Sequence, residues 1–252
     1  MTELNLINII ELVAAGVAGF FAGLFIVFAF NRLPAQWLCD YDEEPSQELK
    51  DPNVKRIKEN PWRWICAAGF VCIGLRLVSA AGSPGNLQLA LAGMFACWLL
   101  AMIGIADAKY MIIPDQFVGL LALSTIGFIP VHKALRQSEA VLIDNMMWDL
   151  LTGLAIGGGV MLAAAGIGAL ITKKESVGFG DVKLCAAIGL MLGVAGIATT
   201  LVLGLLASGL YATGILVTGR AKKDDAMPLG PFLCCGAFTY IIIVVPFLLM
   251  YN

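Results

Sequence analysis

Apolar residues run in long, nearly unbroken stretches separated by short polar connections, with no sustained period-2 alternation. Spans stand out at 6–30, 64–82, 87–106, 115–131, 150–172, 181–194, 196–218 and 230–250. A helix that crosses a bilayer needs about 20 mostly apolar residues. Most of these spans approach that length. The stretch from Val182 to Thr218 is too long for one helix and too short for two with an ordinary loop. A tight turn near Gly193–Gly196 divides it. The pattern predicts an all-α, polytopic membrane helical bundle of about eight transmembrane helices.

The first span does not read as a cleaved signal peptide. Glu3 and Glu11 stand where Lys or Arg would be expected, and the apolar run is too long. It is expected to be a permanent helix with its N-terminus outside. Positive charge tests that orientation. With the N-terminus outside, the connections 31–63, 107–114, 173–183 and 219–229 face the cytoplasm. They carry thirteen of the 16 Lys and Arg residues; Lys133 and Arg136 lie outside, and Arg76 lies within a span. Such a bias is what the positive-inside rule asks for.

Composition agrees with this picture. Of the 252 residues, 60% are hydrophobic and only 13% charged, against about 25% charged in a soluble domain. Lipid must therefore face much of the surface. The net charge of −2 is silent on nucleic acid, and none is expected as a partner. The whole of 1–252 reads as a single membrane domain. The connection 31–63, with Asp40, Asp42, Glu43, Glu44, Glu48, Asp51 and Glu59 among its basic residues and four prolines, is an appendage to it.

Seven cysteines are present, six of them in apolar spans, and no C-x-x-C pair occurs. Zinc and redox motifs depend on such paired spacing, so the cysteines are read as small packing residues. The only histidine, His132, is expected in a polar loop on the outer side. No metal site is expected.

Ionisable groups at membrane depth cost several kcal/mol unless they are paired, hydrated or functional. Glu11, Arg76, Asp107 and Asp181 are the candidates. The first two fall near the outer halves of their helices and are read as snorkelling or structural. Asp107 ends the third span and Asp181 opens the sixth, so the topology puts both at one membrane face. Two close carboxyls in a poorly hydrated site cannot both ionise. They share one proton, which leaves one general base and one general acid, as an aspartic peptidase needs.

Gly178 and Gly180 flank Phe179 just before Asp181, where glycine permits close backbone approach. Pro114 starts a helix, where its missing N–H costs nothing. Asp115 occupies the first turn, a favourable place for negative charge, and is given a structural role.

Asp107, six intervening residues, then Pro114–Asp115, followed later by Gly178, Gly180, Asp181 and Lys183: this combination resembles the bacterial prepilin (type IV leader) peptidases, the GxGD-type aspartic peptidases. FNRLP (Phe30 to Pro34) and PLGPFL (Pro228 to Leu233) extend the likeness over nearly the whole chain. The resemblance implies an intramembrane aspartic endopeptidase of the bacterial inner membrane, with its active site at the cytoplasmic face. Its substrates would be type IV prepilins or type II secretion pseudopilins, which lose a short basic leader after a glycine. Asp107 and Asp181 would be the catalytic pair, and proteolysis would require no cofactor. Many long members carry two C-x-x-C pairs in the first cytoplasmic loop and also N-methylate the new N-terminus. This loop has Cys39 alone. Methyl transfer, with S-adenosylmethionine as donor, is therefore expected to be weak or absent. A proton-coupled transporter and a non-catalytic membrane scaffold are the alternatives. Against the transporter, the acids cluster at one face and no inverted repeat is visible.

Overall fold

The computed structural model describes residues 6–39, 44–51, 54–80, 86–137, 143, 145–172, 178–219 and 227–250. Among these the chain is helical, with no strand. In order the helices are α1 (Leu6–Asn31), α2 (Gln47–Lys50), α3 (Trp62–Ala80), α4 (Asn86–Tyr110), α5 (Asp115–Leu123), α6 (Thr125–Gln137), α7 (Met146–Thr172), α8 (Phe179–Val217), α9 (Gly230–Thr239) and α10 (Val245–Met250). A short 3₁₀ turn covers Ala35–Leu38, and a π-helical turn, Tyr240–Val244, joins α9 to α10. Among the described residues, seven helical segments are long and apolar enough to cross a membrane: Ile9–Asn31, Trp62–Ser79, Ala90–Tyr110, Asp115–Lys133, Met146–Leu170, Phe179–Val217 and Gly230–Leu249. The protein is polytopic. Large apolar side chains such as Phe21, Ile126, Leu162 and Leu206 are exposed, as lipid-facing positions must be. Asp40, Asp42, Glu43, Lys173, Lys174, Arg220, Lys222 and Lys223, which entered the charge reading, lie outside the described residues.

Two compact units can be distinguished. The first takes the chain up to Met102 with Ser124–Val141 and the residues from Ile241 onward. Here α1 lies against α3, and small residues make the approach possible. A Cβ at Gly23 would strike the backbone of Cys66 and Ala67, and one at Gly19 the backbone of Phe70. Without a hydrophobic force between helices in lipid, such backbone proximity is what association rests on. The connection after α1 is tied back by two side chains. Asn31 brackets Ile57, accepting its N–H at 2.8 Å and donating to its carbonyl at 3.0 Å. The Arg56 guanidinium donates to the carbonyls of Leu33 (2.6 Å) and Leu49 (3.3 Å).

His132 departs from expectation. It lies within α6, not in a loop, and is 3% exposed. The helix continues past Pro130, and Phe128, Val131, His132 and Leu135 form its buried stripe.

The second unit comprises Ile103–Leu123 and Leu142–Tyr240. Its centre is the packing of α7 on α8, with α9 and α5 also lying on α8. A straight helix of 39 residues would be about 57 Å long. It is not straight. Gly193 adopts φ 71° and ψ −172°, outside helical geometry. A Cβ at Gly157 of α7 would touch both Cys185 and Ile197, which a straight helix would hold about 18 Å apart. The chain therefore doubles back at Gly193, within the Gly193–Gly196 stretch where the sequence placed a turn. Positive φ of this kind favours glycine. The carboxylate of Asp149 fills the space a side chain would need there, and its Oδ1 accepts the Val194 N–H at 3.1 Å. Asp149 is 4% exposed. It caps from a neighbouring helix the amide that the break leaves unpaired.

Candidate active site

Asp107 lies in the last turn of α4, one turn deeper in the helix than the apolar run alone indicated, and is 6% exposed. Its carbonyl accepts the Met111 N–H at 2.9 Å. Met111, with φ 54°, turns the chain out of the helix in a left-handed conformation. Three residues later the Pro114 carbonyl accepts the N–H groups of Phe117 and Val118 at 3.1 and 3.2 Å. This starts α5 with Asp115 as its first residue.

Asp181 lies in the first turn of α8 and is 9% exposed. Gly178 caps that helix in an extended conformation, and its carbonyl accepts the Asp181 N–H at 3.1 Å. A Cβ on Gly180 would stand 3.1 Å from the Ile113 side chain, so the glycine brings α8 close to the connection between α4 and α5. Phe179 projects outward, 66% exposed. Lys183 binds both oxygens of Asp115, at 2.7 and 3.0 Å, and its Nζ lies 5.1 Å from the Phe179 ring centroid.

The two carboxyls that the sequence singled out are near enough for the charge of Asp107 to act on Asp181. Their hydrogen bonding differs. Oδ2 of Asp107 accepts the Gly230 N–H at 2.8 Å. That amide belongs to the first turn of α9, where free N–H groups and the helix dipole favour negative charge. Among the described residues, Oδ1 of Asp181 is buried with no hydrogen-bond partner. The buried thiols of Cys185 and Cys234 stand within electrostatic reach of Asp181, and Cys234 also of Asp107. Among the described residues, no group of three or more His, Cys, Asp or Glu side chains is placed to share a metal ion.

Of the residues named from the sequence, Asp107, Pro114, Asp115, Gly178, Phe179, Gly180, Asp181 and Lys183 fall in one cluster, whereas Glu11 and Arg76 belong to the other unit. Two residues were missed. Gly230 was quoted only as part of PLGPFL, although a glycine before Pro231 at a helix start does signal free amides. An apolar span starting at 150 leaves Asp149 just outside, whereas α7 begins at Met146 and buries it.

The sequence profile described as the type IV leader peptidase family matches residues 94–213. A prepilin leader peptidase/N-methyltransferase of Burkholderia pseudomallei is 30% identical over 277 residues, covering 95% of this chain and 88% of that protein. The protein of the same description from Bacillus subtilis is 32% identical over 139 residues, 55% of this chain and 50% of its own length. One from Aeromonas salmonicida is 26% identical over 154 residues, 59% of this chain and 47% of its own length. The chain thus spans about half the length of the Aeromonas and Bacillus relatives and most of the Burkholderia one. No solved structure matches it.

Proposed function

Because the chain belongs to the type IV leader peptidase family, we propose that it is an intramembrane aspartic endopeptidase with Asp107 and Asp181 as its catalytic pair. The observation that carries this reading is a pair of buried, interacting carboxyls, of which Asp107 accepts the Gly230 amide and Asp181 has, among the described residues, an oxygen with no partner. The Gly230 N–H can only donate, so Oδ2 of Asp107 is an acceptor, and this amide at the start of a helix favours Asp107 as the ionised member of the pair. Asp107 then acts as general base, taking a proton from the water that attacks the peptide carbonyl carbon. Asp181 carries the proton and donates it to the carbonyl oxygen. The tetrahedral diol collapses as the leaving nitrogen is protonated, the C–N bond breaks, and the pair again holds one proton.

The proposed substrates are type IV prepilins or type II secretion pseudopilins, cut where a short basic leader meets an apolar helix. The charge bias of the connections supports eight crossings, an N-terminus outside and a site facing the cytoplasm of a bacterial inner membrane. Lipid is the surrounding partner, with no nucleic acid. Proteolysis needs no cofactor. Methyl transfer from S-adenosylmethionine, which the names of the relatives include, is proposed to be weak, because the first loop carries Cys39 alone.

Purified protein incubated with a pilin-like leader peptide tests the proposal. Cleavage by the native enzyme, lost in Asp107→Asn and in Asp181→Asn, is the expected result. Cleavage that persists in both variants would reject it.

A further inference from the structure

A chain of short links connects the two carboxyls. From Asp107 the backbone leaves α4 at Met111 and reaches Asp115 at the start of α5. From Asp181 it is two residues to Lys183. Two residues turn an α-helix by about 200°, so Lys183 leaves α8 on a face away from Asp181. There its Nζ grips both oxygens of Asp115, at 2.7 and 3.0 Å. Beside this pair Gly180 packs on Ile113. The ion pair therefore closes a loop, Asp107 to Asp115 along the backbone, Asp115 to Lys183 through charge, and Lys183 to Asp181 along the helix.

Resting on the reading of Asp107 and Asp181 as the catalytic pair, we propose that Asp115 and Lys183 form a positioning clamp that sets the separation of the two carboxyls without touching the scissile peptide. Both members are about one-third exposed, so water screens the pair and its worth to global stability is small. Its worth to geometry is larger. A proton shared between two carboxyls and a water aimed at a carbonyl tolerate little displacement, and a shift of about 1 Å can cost about 100-fold in rate. The competing role for Lys183 is direct contact with substrate, since its charge also lies over the exposed Phe179 ring.

The test uses the full chain in detergent micelles, with a fluorogenic leader peptide and a hydroxyethylene isostere that spans both carboxyls. Asp115→Asn and Lys183→Gln should each lower kcat by about 10- to 100-fold. KM should stay within about twofold, and the isostere should weaken in step with kcat, as loss of transition-state binding requires. Lys183→Arg should keep most of the activity. The reversed pair, Asp115→Lys with Lys183→Asp, should recover about tenfold over the worse single variant. A reversed pair that melts like the native protein yet stays as slow as the worse single variant overturns the proposal. So do single variants that raise KM and leave kcat untouched. If the reversed pair does not melt cooperatively, Lys183→Arg against Lys183→Gln decides, and equal kcat values overturn the clamp. Failure of the underlying reading looks different: Asp181→Asn would still cleave and the isostere would not inhibit the native enzyme.

Discussion

The amide of Gly230 stands 2.8 Å from Oδ2 of Asp107, and a side chain on that glycine would come within 2.7 Å of the same oxygen. The two residues are 123 positions apart in sequence. Gly230→Ala should therefore displace the carboxyl while leaving the helices intact. The expected result is a loss of about 100-fold in kcat, with the melting curve close to that of the native protein. Native kcat in Gly230→Ala would show that Asp107 tolerates a different position.

Among the carboxylates of the site, Asp107 and Asp181 should be indispensable and Asp115 should not. Alanine at either of the first two is expected to remove cleavage altogether in protein that remains inserted and folded. Asp115→Ala should still cleave, at a rate reduced on the order of tenfold. An essential Asp115 beside a dispensable Asp107 would mean that the catalytic carboxylate of the D-x6-P-D motif is the other one.

Asp149 offers the opposite signature, stability without catalysis. Its carboxylate satisfies the Val194 amide at the break in α8. Asp149→Ala leaves that donor without its acceptor, a loss of about 1–3 kcal/mol. Thermal unfolding in detergent should show the drop, while kcat per folded molecule stays near the native value. A melting curve that does not move would argue against the cap.

The dependence on pH should have two limbs, because cleavage needs one carboxyl of the pair protonated and the other not. Activity should rise as increasing pH removes the first proton and fall as it removes the second. A rate that climbs to a plateau and never declines would point to a lone general base.

Cleavage should survive chelators, and methyl transfer from S-adenosylmethionine to the cleaved product should be weak or absent. Mass spectrometry of the new N-terminus reads both from one reaction. Loss of cleavage in a chelator, restored by zinc, would count directly against a carboxyl-only mechanism.

Much of this was legible from residue order alone. Apolar run length located the long helices, and the crowding of glycine near Gly193 marked the fold-back inside α8. Pro114 announced the start of α5, and charge at membrane depth singled out Asp107 and Asp181. What stayed hidden was partnership. Hydropathy reports whether a segment suits lipid, but not which amide a carboxylate will meet, so the contact of Asp107 with Gly230 could not be read. Boundaries drawn where apolarity ends also misplace polar residues that helices carry inside. A span drawn from 150 leaves out Asp149, and one ending at 131 puts His132 in a loop, yet both are buried in helices.

The reversal at Gly193 leaves Asp181 on a short stave. From Phe179 to Gly193 the helix rises about 21 Å, well under the roughly 30 Å of hydrocarbon in a typical bilayer. A mismatch of that size is met by local thinning of the lipid or by snorkelling of flanking residues. Where the lipid thins, water has less oil to cross on its way to Asp181 than a full-length helix would impose. The glycine that turns the chain far from the aspartates thereby helps to decide how wet they are.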